Sequence, residues 1–129
     1  MITTNIYGGL GNQMFQYASG KSISVKNNTQ LSIDKSLFKN YKVQDFLLHR
    51  LNVQYVISNN SNLRNTLISN NYTRAFLSKL NRFKIFQFGL LFEREQFSYN
   101  KNIDSMKYNY MFGYWQSVDY FKNIRKELL

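Results

Sequence analysis

The stretch YGGLGNQMFQYASG, from Tyr7 to Gly20, holds four glycines, an asparagine, two glutamines and three aromatic rings. A glycine turn placed directly before a helix exposes backbone N–H groups at the positive end of the helix dipole. Gly9 and Gly11 would let a ligand approach the backbone closely. Asn12 stands where a helix N-cap would stand and could also donate its amide into a cleft, with Gln13 beside it. Such a turn suits a phosphate or another polar ligand. The alternative is a plain strand-to-helix corner that needs glycine for a positive φ.

Two known phosphate motifs can be compared with it. The dinucleotide fingerprint G-x-G-x-x-G is met at Gly9 and Gly11, but its third position is Met14, which would block close helix–strand packing. Asp34 lies about where the ribose-binding acid of that fingerprint belongs, yet it reads more simply as a strand-end turn residue. Gly20-Lys21-Ser22 occurs, but Phe15 stands where a Walker loop needs its first glycine and the tripeptide lies inside the expected helix, so a Walker loop is excluded. Near the other end of the chain, Tyr114, Trp115 and Gln116 could stack on and hydrogen-bond a sugar, or pack into a core. His49 reads as a solvated loop residue.

Composition narrows the field. The chain has 129 residues, no cysteine and one histidine. Disulfides, thiolate metal sites and His-cluster zinc sites are excluded, and no metal cofactor is expected. Seventeen Lys and Arg against seven Asp and Glu give a net charge of +10, which favours anionic partners. No acid occurs between Asp45 and Glu93, whereas Arg50, Arg64, Arg74, Lys79, Arg82 and Lys84 do. That basic segment reads either as a helix packed on a sheet with a solvated rim or as a surface for anionic lipid. The N-terminus shows no signal-peptide pattern and no apolar run is long enough to span a bilayer. The expectation is a cytoplasmic chain, in peripheral contact with the membrane at most.

These residues need elements to position them. ITTNIY is the expected first strand and TQLSID the second, with the helix from Asn12 to Lys26 between them. Met14, Phe15, Ala18 and Val25 share one face of that helix and are expected to pack on the sheet. Short helical pieces and loop follow. A helix is expected over 63–83, with Tyr72, Phe76, Leu77, Leu80 and Phe83 on one arc, and a late strand within YNYMFGYWQ. Ser117 is expected to cap a final helix, with Asp119 in its first turn. Strands alternating with helices give an α/β domain with a parallel sheet, and 1–129 reads as a single domain.

Four stretches carry a resemblance. GGLGNQMFQYASGKSIS, LSIDKSLF, FLLHRLNV and GYWQSVDYFKNIRKELL resemble, in order and spacing, segments of glycosyltransferase family 11, the α-1,2-fucosyltransferases. Leu51 stands where that family usually has Phe. The resemblance implies a Rossmann-like parallel sheet flanked by helices, matching the N-terminal half of a two-domain GT-B enzyme. It implies transfer of L-fucose from GDP-fucose to O2 of a galactose-containing acceptor, with inversion and without metal. It implies that Gly9, Gly11, Asn12 and Gln13 line the donor cleft and that Tyr114, Trp115 and Gln116 meet the acceptor. The family's donor signature, His-x-Arg-Arg-Gly-Asp-Tyr, is absent from these 129 residues, and His49–Arg50 do not substitute for it. A second domain or chain is therefore expected to supply that half, and no catalytic base is assigned. Two other readings stay open. One is a non-catalytic remnant or interaction module. The other is a basic nucleic-acid binder, against which no RNA-binding motif occurs.

Overall fold

The computed structural model describes residues 1–39, 42–58, 67, 70–82, 89–93, 95–101, 103–105 and 108–128. Five strands form one sheet: β1 (Ile2–Asn5), β2 (Leu31–Asp34), β3 (Val56–Ile57), β4 (Leu90–Phe92) and β5 (Tyr110–Phe112). Their order is β3-β2-β1-β5-β4 and every pairing is parallel. Helices flank the sheet: α1 (Leu10–Lys26), α2 (Asn71–Arg82) and the short α3 (Arg125–Leu128). This is the α/β arrangement with a parallel sheet expected from the alternating elements, and the Rossmann-like sheet that the resemblance implies. β3 and β4 were not expected. β3 is only two residues long, and β4 lies inside the aromatic run that ends in GLLF.

The helix face of α1 differs from the expected one. Met14 and Val25 are 48% and 41% exposed, Phe15 is half-buried, and of the expected four only Ala18 is fully buried. The buried face instead carries Gln13, Gln16, Tyr17, Ser19, Gly20, Ser22, Ile23 and Ser24. Counting apolar residues misses such a face, because small and hydrogen-bonded polar side chains fill it. Gln16 accepts from the Tyr7 N–H at 3.1 Å and donates to the Gly113 carbonyl at 3.2 Å, tying the helix to two strand ends. Ser22 donates to Asn123 at 2.8 Å. At Gly20 an added Cβ would lie 2.9 Å from Leu31 Cδ1 and 3.0 Å from Thr4 Cγ2. Only glycine lets α1 sit this close to β1 and β2.

The core is divided. Ile2, Ile23, Leu91, Met111, Trp115 and Tyr120 pack in one cluster, and Ile6, Tyr17, Leu31, Ile33 and Leu48 in another. Leu90, Phe92 and Tyr110 form a third, against which Leu77 of α2 packs. The expected arc on α2 splits: Leu77 and Leu80 are half-buried, while Tyr72 and Phe76 are 87% and 62% exposed. Phe83 and the positions 63–66, 68 and 69 of that expected helix lie outside the described residues. The expected final helix is broken into two 3-10 turns before α3, with Ser117 Oγ accepting from the Asp119 N–H at 3.4 Å.

Candidate functional site

In open α/β sheets, ligands bind outside the carboxyl ends of the strands, at the point where strand order reverses. Here that point lies between β1 and β5. From β1 the chain runs through α1 to β2 on one side, whereas β5 arrives on the other side after the edge strand β4. The turns that leave β1 and β5 hold the two residue groups singled out in the sequence. The structure brings them together: Gln116 Nε2 donates to Asn12 Oδ1 at 2.8 Å.

The first wall is the turn from Tyr7 to Asn12. Gly8 adopts φ +78°, and a Cβ there would stand 2.9 Å from Asn12 Nδ2 and 3.5 Å from Tyr114 Cε1. Gly9, not Asn12, is the N-cap of α1; its backbone is extended and no side chain caps the helix. The tight corner at Gly8 turns the chain early enough that the helix starts at Leu10, three residues before the start that a cap at Asn12 would give. Asn12 therefore sits in the first turn, half-buried, with its side chain directed to Gln116. Gly11 is exposed, and a Cβ there would have no atom within 4 Å. Packing of the chain itself does not require glycine at this position.

Gln13, expected in the cleft, is sealed from solvent at 0% exposure. Its Nε2 donates to the carbonyls of Gly8 and Asp45, both at 2.8 Å, and its Oε1 accepts from the Leu47 N–H at 2.8 Å. All the polar atoms of its amide are used in clamping the turn to the 45–47 segment. A buried polar side chain so satisfied is a structural node.

The second wall follows β5. Tyr7 stacks on Phe112 at 5.2 Å between ring centroids and meets Tyr114 at 4.7 Å. Arg74 of α2 lies over the far strand residue Phe112, its Cζ 5.1 Å from the ring centroid. Burial pushes the Tyr7 phenol well above its ordinary range, with Tyr114 and Glu93 adding to the shift. Tyr114 and Gln116 are half-buried, but Trp115 is 0% exposed. Its ring packs edge-on against Tyr120 at 5.4 Å within the core. In this arrangement no face of the indole is open for stacking on a sugar.

Two acidic groups complete the surroundings. Asp34 is the strand-end turn residue expected, closing β2 and accepting from the N–H two residues on, and it is fully buried. It accepts from Asn5 Nδ2 at 3.2 Å, from the Ser36 N–H at 2.8 Å and from the Tyr110 hydroxyl. Burial, and then the Asp34 charge, drive the Tyr110 phenol far above its usual range. Glu93, just after β4, accepts from the backbone N–H groups of Tyr114 at 2.7 Å and Trp115 at 2.9 Å. A pocket of about 190 Å³ opens beside it, lined also by Glu95, Tyr99, Asn100, Lys101 and Tyr120. Sequence reasoning passed over Glu93. Its signal is an acid directly after the apolar run GLLF, the place Asp34 holds after LSI. His49 is exposed, as expected for a loop residue. Among the described residues, no group of three His, Cys, Asp or Glu is arranged to hold a metal, and no helix is long and apolar enough to cross a membrane.

No protein-family profile matches the chain, and no solved structure matches it. Over 133 aligned residues, 99% of this chain, it is 36% identical to an α-1,2-colitosyltransferase from Escherichia coli, and it spans 43% of that enzyme's length. This α/β chain, with its glycine turn at the switch point, is thus similar along its whole length to part of a glycosyltransferase.

Proposed function

We propose that this chain is the α/β portion of an inverting α-1,2-glycosyltransferase of the GT-B type, using GDP-fucose and a galactose-containing acceptor. The observation that carries the reading is the meeting of Asn12 and Gln116 at the switch point, in a chain related throughout to a colitosyltransferase. Gly8, Gly9 and Gly11 contribute no side chains of their own around the N-terminus of α1, and a Cβ on Gly11 would meet nothing within 4 Å. Such a helix end suits the diphosphate or sugar of a nucleotide-sugar. Tyr114 and Gln116, on the facing turn, suit a sugar hydroxyl face. Inversion needs a base for the acceptor hydroxyl and stabilisation of the departing diphosphate. The second requirement falls to the family's donor signature, which the 129 residues lack.

The relative's name carries the same α-1,2 linkage with a different sugar, which gives a second reading: a colitose donor. A donor panel decides between them. The protein expressed from its complete reading frame, assayed for acceptor-dependent release of nucleotide, is expected to prefer GDP-fucose over GDP-colitose. The reverse preference supports the second reading, and no release from either counts against transfer altogether. Residues 1–129 alone are expected to release nothing above background.

The localisation reading extends this to a peripheral protein. Tyr72 and Phe76, exposed one turn apart on α2 with the exposed Lys79 on the same side, suit insertion at an anionic lipid surface. Co-sedimentation with anionic vesicles that weakens as salt rises is the expected result. Equal co-sedimentation with neutral and anionic vesicles at low salt would rule it out.

A further inference from the structure

Glu93 belongs to neither residue group singled out in the sequence, yet it shapes the turn that carries one of them. Its two carboxylate oxygens each take one backbone N–H, from Tyr114 and Trp115, and the N–H of Gln116 adds a third interaction. Three consecutive N–H groups converging on one anion form a nest. The backbone there is unusual in two places: Trp115 adopts φ +57° and Gly113 φ +156°. Left-handed backbone at a residue as bulky as Trp is costly and persists only where the surroundings hold it. The main chain of Glu93 is itself fixed, since its N–H donates to the Phe112 carbonyl at 2.9 Å. Beyond the nest, Gln116 reaches Asn12 and Tyr114 meets Tyr7.

We propose that Glu93 is the positioning residue of the switch-point site, its carboxylate holding the Tyr114–Gln116 turn in the strained form that presents Tyr114 and Gln116 to Asn12. This assignment rests on the reading that the cleft between β1 and β5 receives the sugar. Glu93 does not touch the reacting atoms on this account; it acts through the turn.

Ionisation supports the assignment. Burial raises the Glu93 carboxyl above its ordinary value, outweighing the three backbone N–H groups that lower it. The charged form is therefore held at a net cost to folding rather than for stability. A charge kept in spite of its cost, beside a pocket, is a mark of a functional position. The titratable groups around it are Tyr7 across β5, Tyr120 beside Trp115, and Tyr99, Glu95 and Lys101 around the adjoining pocket. The sign follows directly. Because the folded-state value is raised, the cost is present at neutral pH and disappears as pH falls through the folded-state value toward the unfolded one.

Glu93→Gln separates positioning from stabilisation. Its amide can accept one N–H but must turn a donor toward the next, so the nest opens while the shape is kept. Trp115 is the one tryptophan of these 129 residues, so emission from that stretch reports on this turn. In the variant, the melting temperature at neutral pH is expected to equal or exceed the wild-type value, and this advantage should shrink as pH falls. Acrylamide quenching of Trp115 should rise. In the complete protein, KM for the acceptor should rise about tenfold, the loss expected for one charge-assisted hydrogen-bond arrangement, with donor KM unchanged. Unchanged quenching, or a variant that melts earlier or fails to fold, would overturn the assignment. Wild-type quenching adds a measurement that needs no variant: it should rise on acidification, and a flat profile would also overturn it. These optical readouts stand even if the complete protein transfers no sugar, an outcome that would sink the reading of the cleft instead.

Discussion

Gly113→Ala is expected to cost about 3–5 kcal/mol and to lower the melting temperature by roughly 10–20 °C. The residue has φ +156°, where side chains are rarely tolerated, and an added Cβ would stand 2.3 Å from Glu93 Cβ. That atom is close to the backbone and cannot swing aside as the end of a long side chain could. Gly113 is also gripped from α1, since its carbonyl accepts from Gln16. Relief would require β5 and the segment after β4 to part, which unpicks the Glu93 N–H to Phe112 carbonyl bond. A domain of this size has about 5–15 kcal/mol in total, so the variant should be near the limit of folding. Urea denaturation followed by Trp115 emission gives the number. A loss under about 1 kcal/mol would mean that the turn is not as closely packed as described.

Gln13→Ala is the second large effect, expected at about 2–4 kcal/mol. It removes three hydrogen bonds at once and leaves the Gly8 carbonyl and the Leu47 N–H without the partner they now share. It also opens a void at a fully buried position. The clamp it breaks joins the glycine turn to residues 45–47, so the turn should loosen as well as the fold weaken. Amide hydrogen exchange at Leu47 should quicken in step with the drop in unfolding free energy. Slow exchange at Leu47 in the variant would show that another group holds that segment.

The contrast between these two residues and the sequence reading is instructive. The glycine turn, the first two strands, α1 and the late strand were legible, because β-branched runs and a glycine break are local signals, whereas the Asn12 cap read for α1 is not the one the structure uses. The buried face of α1 was not, because glutamines and serines fill it and the apolar count pointed to Met14 and Val25. β3 was illegible for its length of two residues, and β4 because an aromatic run gives no period from which to choose strand over helix. Within the site, Asn12 and Gln116 were legible as polar residues beside a turn. That they meet was not, since 104 positions separate them and the sheet alone brings them together. Gln13 and Trp115 carry side chains suited to sugar contacts, but burial is a tertiary property that residue type does not disclose. Glu93 was passed over, and the burial of Asp34 was not foreseen, for the same reason: an acid at a strand end is a surface residue unless neighbouring N–H and O–H groups converge on it.

The central claim is that the turn at Gly8–Asn12 is one wall of a nucleotide-sugar cleft, with Asn12 facing its contents. Asn12→Ala tests this most directly, because Asn12 is half-buried, caps nothing, and bonds only to Gln116 among the contacts described above. The measurement is acceptor-dependent release of GDP from GDP-fucose by the protein expressed from its complete reading frame, wild type against Asn12→Ala, with melting temperatures taken alongside. The account predicts acceptor-dependent release by the wild type and a fall of about 10²-fold in the variant, the scale of losing one polar donor at developing charge, with melting shifted little. Equal rates for the two proteins would contradict it.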